Sequence, residues 1–281
     1  MHEIQFRKKR EIGDVFADSF LFLKQEIKPL SKLIALYVLP FVIIYAVFQV
    51  YMQKGFMSRI DVTNPEVIIA NINPIYLNFL ISSFFGLFVN SLLAGILYTY
   101  IDFYVKKGKG NFETHEVTES LFVNSLMVLG AMFALFVIVI FGIVLFIFPG
   151  IYFANTLSLA LFIVLFERKG IGNALSRSLF LVNKQWWNTF LINLSGFLII
   201  WVISVFITIP AMIAGFATTL TSVQQGGIIE YPQWYWFLVG ASTVVSTILC
   251  VIIYTFIAFQ YFNINEQTKP AQSSIEDFPE E

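Results

Sequence analysis

Residues Ser120–Phe166, SLFVNSLMVLGAMFALFVIVIFGIVLFIFPGIYFANTLSLALFIVLF, form a run of 47 residues without one charged side chain. As a single helix rising 1.5 Å per residue it would measure about 70 Å, more than twice the roughly 30 Å hydrocarbon thickness of a bilayer. The run therefore has to turn back, and Pro149-Gly150 is its only strong breaker pair. The reading is two membrane spans, 120–148 and 151–166, joined by a structural turn at Pro149 and Gly150. The second is short for a crossing, which implies little tilt or a locally thinned bilayer.

Four more apolar stretches lie outside this run, at 33–50, 75–101, 188–215 and 234–262, and bring the count to six. The first carries Pro40, which membrane helices tolerate. Hydrophobic residues make up 58% of the 281-residue chain and charged residues only 12%. A water-soluble domain carries about 25% charged residues, so lipid is the solvent for most of this chain. The expected fold is an all-α polytopic membrane protein, with residues 1–262 as one transmembrane domain and 263–281 as a polar, disordered cytoplasmic tail.

Orientation follows from the basic residues. Fifteen of the seventeen lie before the first span, between spans two and three, between spans four and five, or in the tail; only Lys54 and Arg59 fall in the opposite connections. Lysine and arginine mark cytoplasmic loops, so both termini are expected inside the cell. The apolar stretch after Arg7, Lys8, Lys9 and Arg10 starts only at Leu33 and has no small-residue cleavage pattern after it, so it reads as an uncleaved first span rather than a signal peptide. Trp186 and Trp187 are expected as interfacial anchors at the inner face, and Trp234 and Trp236 at the outer one.

Three segments preceding odd-numbered spans look alike: IGDVFADSFLFLKQEIKPL from Ile12, HEVTESLFVNSL from His115 and IGNALSRSLFLVNKQWW from Ile171. Each sets a charged residue before a serine and two apolar residues, at Ser19, Ser120 and Ser178. In the first, Ile12, Val15, Phe16, Ser19, Phe20, Leu23 and Ile27 follow helical spacing, which predicts an amphipathic interfacial helix over 12–29. The expectation is three repeated units, each an interfacial helix and a two-span hairpin, with the interfacial helices on the cytoplasmic face.

The opening REIGDVFADSFLFLKQEIKPL and the central FPGIYFANTLSLALFIVLFERKGIGNALSRSLFLVNKQWW resemble the membrane domain attached to some bacterial glycerophosphodiester phosphodiesterases, and related uncharacterised six-span bacterial membrane proteins. The resemblance covers most of the chain and implies an architecture and a bacterial inner-membrane location. It does not carry the phosphodiesterase activity, which in the fused proteins belongs to a separate soluble domain.

Chemistry-bearing residues are sparse. One cysteine, Cys250, and two histidines, His2 and His115, build neither an intrachain disulfide nor a His or Cys metal site, and no cofactor is expected. The spans as drawn contain no ionisable Asp, Glu, Lys, Arg or His, with Asp102 and Glu167 at their inner ends. Intramembrane polarity comes from Asn78, Asn90, Asn124, Asn155, Asn193 and several Ser and Thr. Asn155, Thr156 and Ser158 are the candidate polar pocket, against the alternative that they cap and pack the turn. Ser91 and Gly95, or Ala211 and Gly215, have the spacing for close helix approach, within the chain or to a partner.

Arg7, Lys8, Lys9 and Arg10 are candidate contacts to anionic lipid headgroups, against orientation alone. Glu167 and Arg168 are expected near Lys106 or Lys107. The functional expectation is a non-enzymatic accessory or scaffolding subunit of a membrane complex, whose partners are membrane lipids and another membrane protein, with no nucleic acid. The alternatives are a lipid-binding or lipid-translocating protein and, behind them, a small-solute transporter.

Overall fold

In a computed structural model of the chain, residues 4–57, 72–225 and 231–268 are described, and every regular element among them is a helix. The chain is an all-α polytopic membrane protein: six segments are long and apolar enough to cross a bilayer, Leu39–Phe56, Tyr76–Lys107, Leu121–Leu145, Ile147–Phe166, Trp186–Ser222 and Gln233–Thr268. The distal part of the expected tail, 269–281, lies outside the described residues.

The first interfacial helix is two helices. α1, Ile12–Gln25, starts at Glu11, whose backbone N–H donates to Asp14 Oδ2 at 3.3 Å while the Glu11 side chain caps the first turn in return. It stops at Glu26, and α2 takes over from Ile27 to Tyr37. The first span, α3, Leu39–Met57, therefore begins six residues later than the apolar run suggested. Pro40 explains the shift. Inside a helix it would remove a hydrogen bond and clash with the preceding turn, so the chain breaks at Val38 and restarts with Pro40 in the first turn, where its missing N–H costs nothing.

α4, Ile72–Lys107, crosses back, the six-residue α5, Thr114–Glu119, follows, and α6, Leu121–Leu145, crosses again. The reversal is not at Pro149-Gly150. Phe146 adopts an extended conformation (φ −160°, ψ 146°) and α7, Ile147–Thr156, starts at once, with Pro149 in its first turn. Gly150 serves contact instead: a Cβ there would lie 2.9 Å from the Ile143 backbone nitrogen, so only glycine lets α7 lie this close to α6. The return is also broken, since α7 ends at Thr156 and α8, Ala160–Phe166, resumes after one turn. α9, Ile171–Asn183, is the second amphipathic helix, and the long hairpin of α10, Trp186–Gln225, and α11, Gln233–Thr268, completes the chain. α11 runs six residues into the expected tail, with Asn263 and Ile264 buried.

The returning spans α4, α8 and α11 contact one another at the centre and the outgoing spans α3, α6 and α10 pack outside them. Each amphipathic element packs chiefly on the returning span of the unit before it: α5 on α4, α9 on α8 and, closing the ring, α1 on α11. α1 and α9 also share a burial register, Val15, Ser19 and Phe22 corresponding to Ala174, Ser178 and Leu181, all fully buried. The middle unit is out of step: its buried positions are Val117, Leu121 and Asn124, one residue away from the serine alignment.

Candidate functional site

The ends of α4, α8 and α11, the starts of α6 and α10, and the N-terminal segment meet at one end of the bundle, where most of the buried polarity collects. Residues 4–10 run into this end as an irregular strand of chain. Phe6 is buried among Phe22, Tyr104, Phe259 and Phe262, with ring centroids 4.6–5.5 Å apart. Burying an aromatic ring anchors a segment that has no regular hydrogen bonding of its own.

Arg10 closes this segment. Its side chain is fully buried; Nε donates to Asp18 Oδ2 at 2.8 Å, Nη1 to the carbonyls of Phe6 at 2.7 Å and Lys8 at 3.2 Å, and Nη2 to the carbonyl of Gln5. The guanidinium stacks over Phe259 at 5.0 Å, and the Arg10 backbone N–H donates to Asn263 Oδ1 at 2.7 Å. The expected headgroup cluster therefore divides: Arg7, Lys8 and Lys9 are exposed, whereas Arg10 satisfies backbone carbonyls inside the protein.

Asn263 and Gln267 continue the network. Gln267 donates to Asn263 Oδ1 at 2.8 Å and to the Arg10 carbonyl at 3.4 Å, Asn263 donates to Gln260 Oε1 at 3.1 Å, and Gln260 to Thr189 Oγ1 at 3.1 Å. Beside it, Asn155, Thr156 and Ser158 fall at the break between α7 and α8. Asn155 donates to the Trp186 carbonyl at 3.1 Å, Ser158 to the Asn155 carbonyl at 2.8 Å, and Asn193 to both Asn155 Oδ1 at 3.0 Å and Ser158 Oγ at 3.1 Å. The free carbonyl of Thr156 accepts from Ser178 at 2.7 Å. All three residues are buried and engaged with the protein itself, so the candidate polar pocket is a hydrogen-bonded joint that satisfies an interrupted helix.

Among the described residues, the acidic groups at this end are engaged. Glu26, at the α1–α2 break, accepts from Tyr100 at 2.6 Å and pairs with Lys109 at 3.0 Å. Asp102 pairs with Lys106 at 2.8 Å and Glu116 with Lys107. Glu167 accepts from Tyr261 at 2.7 Å and pairs with Lys169 at 2.5 Å and Arg177 at 3.5 Å, while Arg168 donates to Asn124 at 2.6 Å. The expected proximity of Glu167 and Arg168 to Lys106 or Lys107 gives way to these partners. Burial on its own would push the Glu167 carboxyl up; hydrogen bonds from Lys169 and Tyr261 and the charges of Lys169 and Arg177 outweigh it, and the carboxyl lies below its ordinary value of 4.5.

The tryptophans also divide. Trp187 and Trp234 are exposed, as anchors would be, but Trp236 is buried against Tyr231 and Tyr235, and Trp186 stacks between Tyr152 and Phe190. Gly95 belongs to internal packing, because a Cβ there would lie 2.9 Å from Ser125 Cα. A Cβ at Gly215 would lie 3.5 Å from the ring of Tyr235 on α11 and 3.7 Å from that of Tyr231 just before it, ordinary contact that does not require glycine.

Sequence reading missed Glu26, Gln260 and Asn263 as site residues, and it set Arg10 at lipid headgroups rather than inside the protein. The only available signal was their polarity at the ends of apolar runs, which is also what an exposed flank looks like. No family model matches the chain, and neither the curated proteins nor the solved structures give a match.

Proposed function

We propose that this chain is a non-enzymatic accessory or scaffolding subunit of a bacterial inner-membrane complex, with both termini in the cytoplasm. The observation that carries the reading is α10. Its apolar span Trp186–Ser222 has 37 residues, and only 6% of its most apolar stretch is buried inside the protein. At 1.5 Å per residue the span is about 55 Å long, and even tilted by 40° it covers about 42 Å, well beyond the roughly 30 Å of hydrocarbon. Its distal half still presents Phe206, Met212, Ile213 and Phe216, which are 61–71% exposed. Apolar surface that reaches past the hydrocarbon needs cover, and a second membrane protein supplies it.

The engaged polar groups at the opposite end support the same reading: they hold the bundle together and leave the α10 face to present itself. Orientation rests on the basic residues, since Arg7, Lys8, Lys9, Lys24, Lys28, Lys32, Lys106 and Lys107 belong to the end where the N-terminal segment and the α4 terminus meet. The resemblance to the membrane domain of bacterial phosphodiesterases rests on the quoted blocks and agrees with a chain that works beside another protein.

Affinity purification of the tagged full-length chain from its native host in mild detergent, after crosslinking, tests this by mass spectrometry. A second membrane protein should co-purify in constant ratio and be lost on Ile213→Trp, which enlarges an exposed α10 residue without touching the core. Recovery of the bare chain, or a partner indifferent to Ile213→Trp, rejects the reading.

A further inference from the structure

A groove runs between the first helices and α11, on the flank of the bundle. Its walls are Leu23 of α1, Ile27, Leu30, Ile34 and Ala35 of α2, and Ile248, Leu249, Val251 and Ile252 of α11, and it encloses about 380 Å³. Ser31 is the one hydroxyl in the lining, and it donates to the Lys28 carbonyl at 3.1 Å. The wall side chains therefore offer an occupant no free hydrogen-bond donor, and the Ser31 oxygen as a lone acceptor. A soluble metabolite would need more such groups to fix its orientation, and water would find too few partners there.

The charge is beside the groove. Lys24, Lys28 and Lys32 are exposed, and within α2 Lys28 and Lys32 are four residues apart on one face, so they edge its apolar face on the side of Ala35. α2 contains no acidic residue. The acidic groups nearest in sequence are committed elsewhere, Glu26 to Tyr100 and Lys109 and Asp18 to Arg10. A dry channel with a cationic edge matches a molecule with a hydrocarbon chain and an anionic head.

We propose that this groove binds one acyl chain of an anionic phospholipid from the adjacent leaflet, with its phosphate on Lys28 and Lys32. The groove selects hydrocarbon, and the lysines select charge. This site is separate from the α10 face and stands whether or not a protein covers that face.

The test uses the delipidated full-length chain in detergent, titrated with phosphatidylglycerol and with phosphatidylcholine of identical acyl chains and read by native mass spectrometry. Wild type should bind phosphatidylglycerol about tenfold more tightly than phosphatidylcholine. The double substitution Lys28→Glu, Lys32→Glu should bring the two lipids to near parity, and Ala35→Trp, which fills the groove from an exposed position, should weaken both about tenfold while leaving their ratio intact. Glycerol phosphate, the head without the chain, should not bind. Melting curves matching wild type confirm that both variants are folded. Equal affinity for the two lipids in wild type, a preference that survives the lysine substitutions, or undiminished binding by Ala35→Trp each overturns the site. Displacement of lipid by a second copy of the chain, seen as a lipid-free dimer, overturns it as well.

Discussion

Replacing Arg10 by alanine leaves the half-buried Asp18 carboxylate and the carbonyls of Gln5 and Lys8 without this donor, and takes one of two donors from the Phe6 carbonyl, which also accepts from the Lys8 N–H at 3.0 Å. Stranding a fully buried charge costs about 3–5 kcal/mol; Asp18 keeps 29% of its side chain exposed, so Arg10→Ala should cost less than that range and still lower the melting temperature of the purified protein. Arg10→Lys should recover only part of the loss, because an ammonium cannot reproduce the planar fork. Lys9→Ala, one residue away and exposed, should stay within about 0.5 kcal/mol of wild type. Four neighbouring basic residues look equivalent in sequence; only the packing of Phe6 beside them decides which one is drawn inside. Glu167 provides a different test at this scale. Its carboxyl lies below 4.5 in the folded protein, so its stabilisation is present above that value and is lost as pH falls through the lower, folded value. Glu167→Gln should therefore melt below wild type at neutral pH, and the gap should narrow on acidification. A gap independent of pH would contradict the ion-pair account.

Among the elements, the contact between α4 and α6 depends on Gly95. A methyl group there would meet Ser125 Cα at 2.9 Å, and since that atom is backbone, a helix has to move. Gly95→Ala is expected to cost about 1–3 kcal/mol, whereas Gly172→Ala in α9, where nothing lies within 4 Å, should gain about 0.4–1 kcal/mol by restricting the unfolded chain. Thermal melting in the same detergent compares the two. Element boundaries show where sequence reading stops. Pro149-Gly150 is visible as a break, yet the reversal comes at Phe146, because proline is at ease in the first turn of the returning helix and glycine is needed for contact rather than for turning. Pro40 shifts the first span for the same reason.

For the molecule as a whole, six crossings can be counted from sequence because hydrophobic length is a one-dimensional quantity that the bilayer measures directly. The amphipathic helices are visible too, since their periodicity is local. What escapes is every contact that depends on the ring closing: Arg10 with Asn263, Glu26 with Lys109, Glu167 with Tyr261. Each joins residues far apart along the chain, and nothing in the spacing of either partner points to the other. The polar residues Asn155, Thr156 and Ser158 are legible as a cluster, but their role as the joint of a broken helix requires knowing that Asn193 and Ser178 face them.

Because α1 rests on α11 and Arg10 is tied to Asn263, 253 positions later, the first part of the protein to be made waits for the last. At roughly 5–20 residues per second of synthesis, the interval is about 13–50 s. Throughout it, the N-terminal segment has only half of its seat: Phe22, Tyr104 and Asp18 are already made, while Phe259, Phe262 and Asn263 are still to come. The final helix therefore supplies the other wall of that seat, and the last-made residues complete the burial of the first.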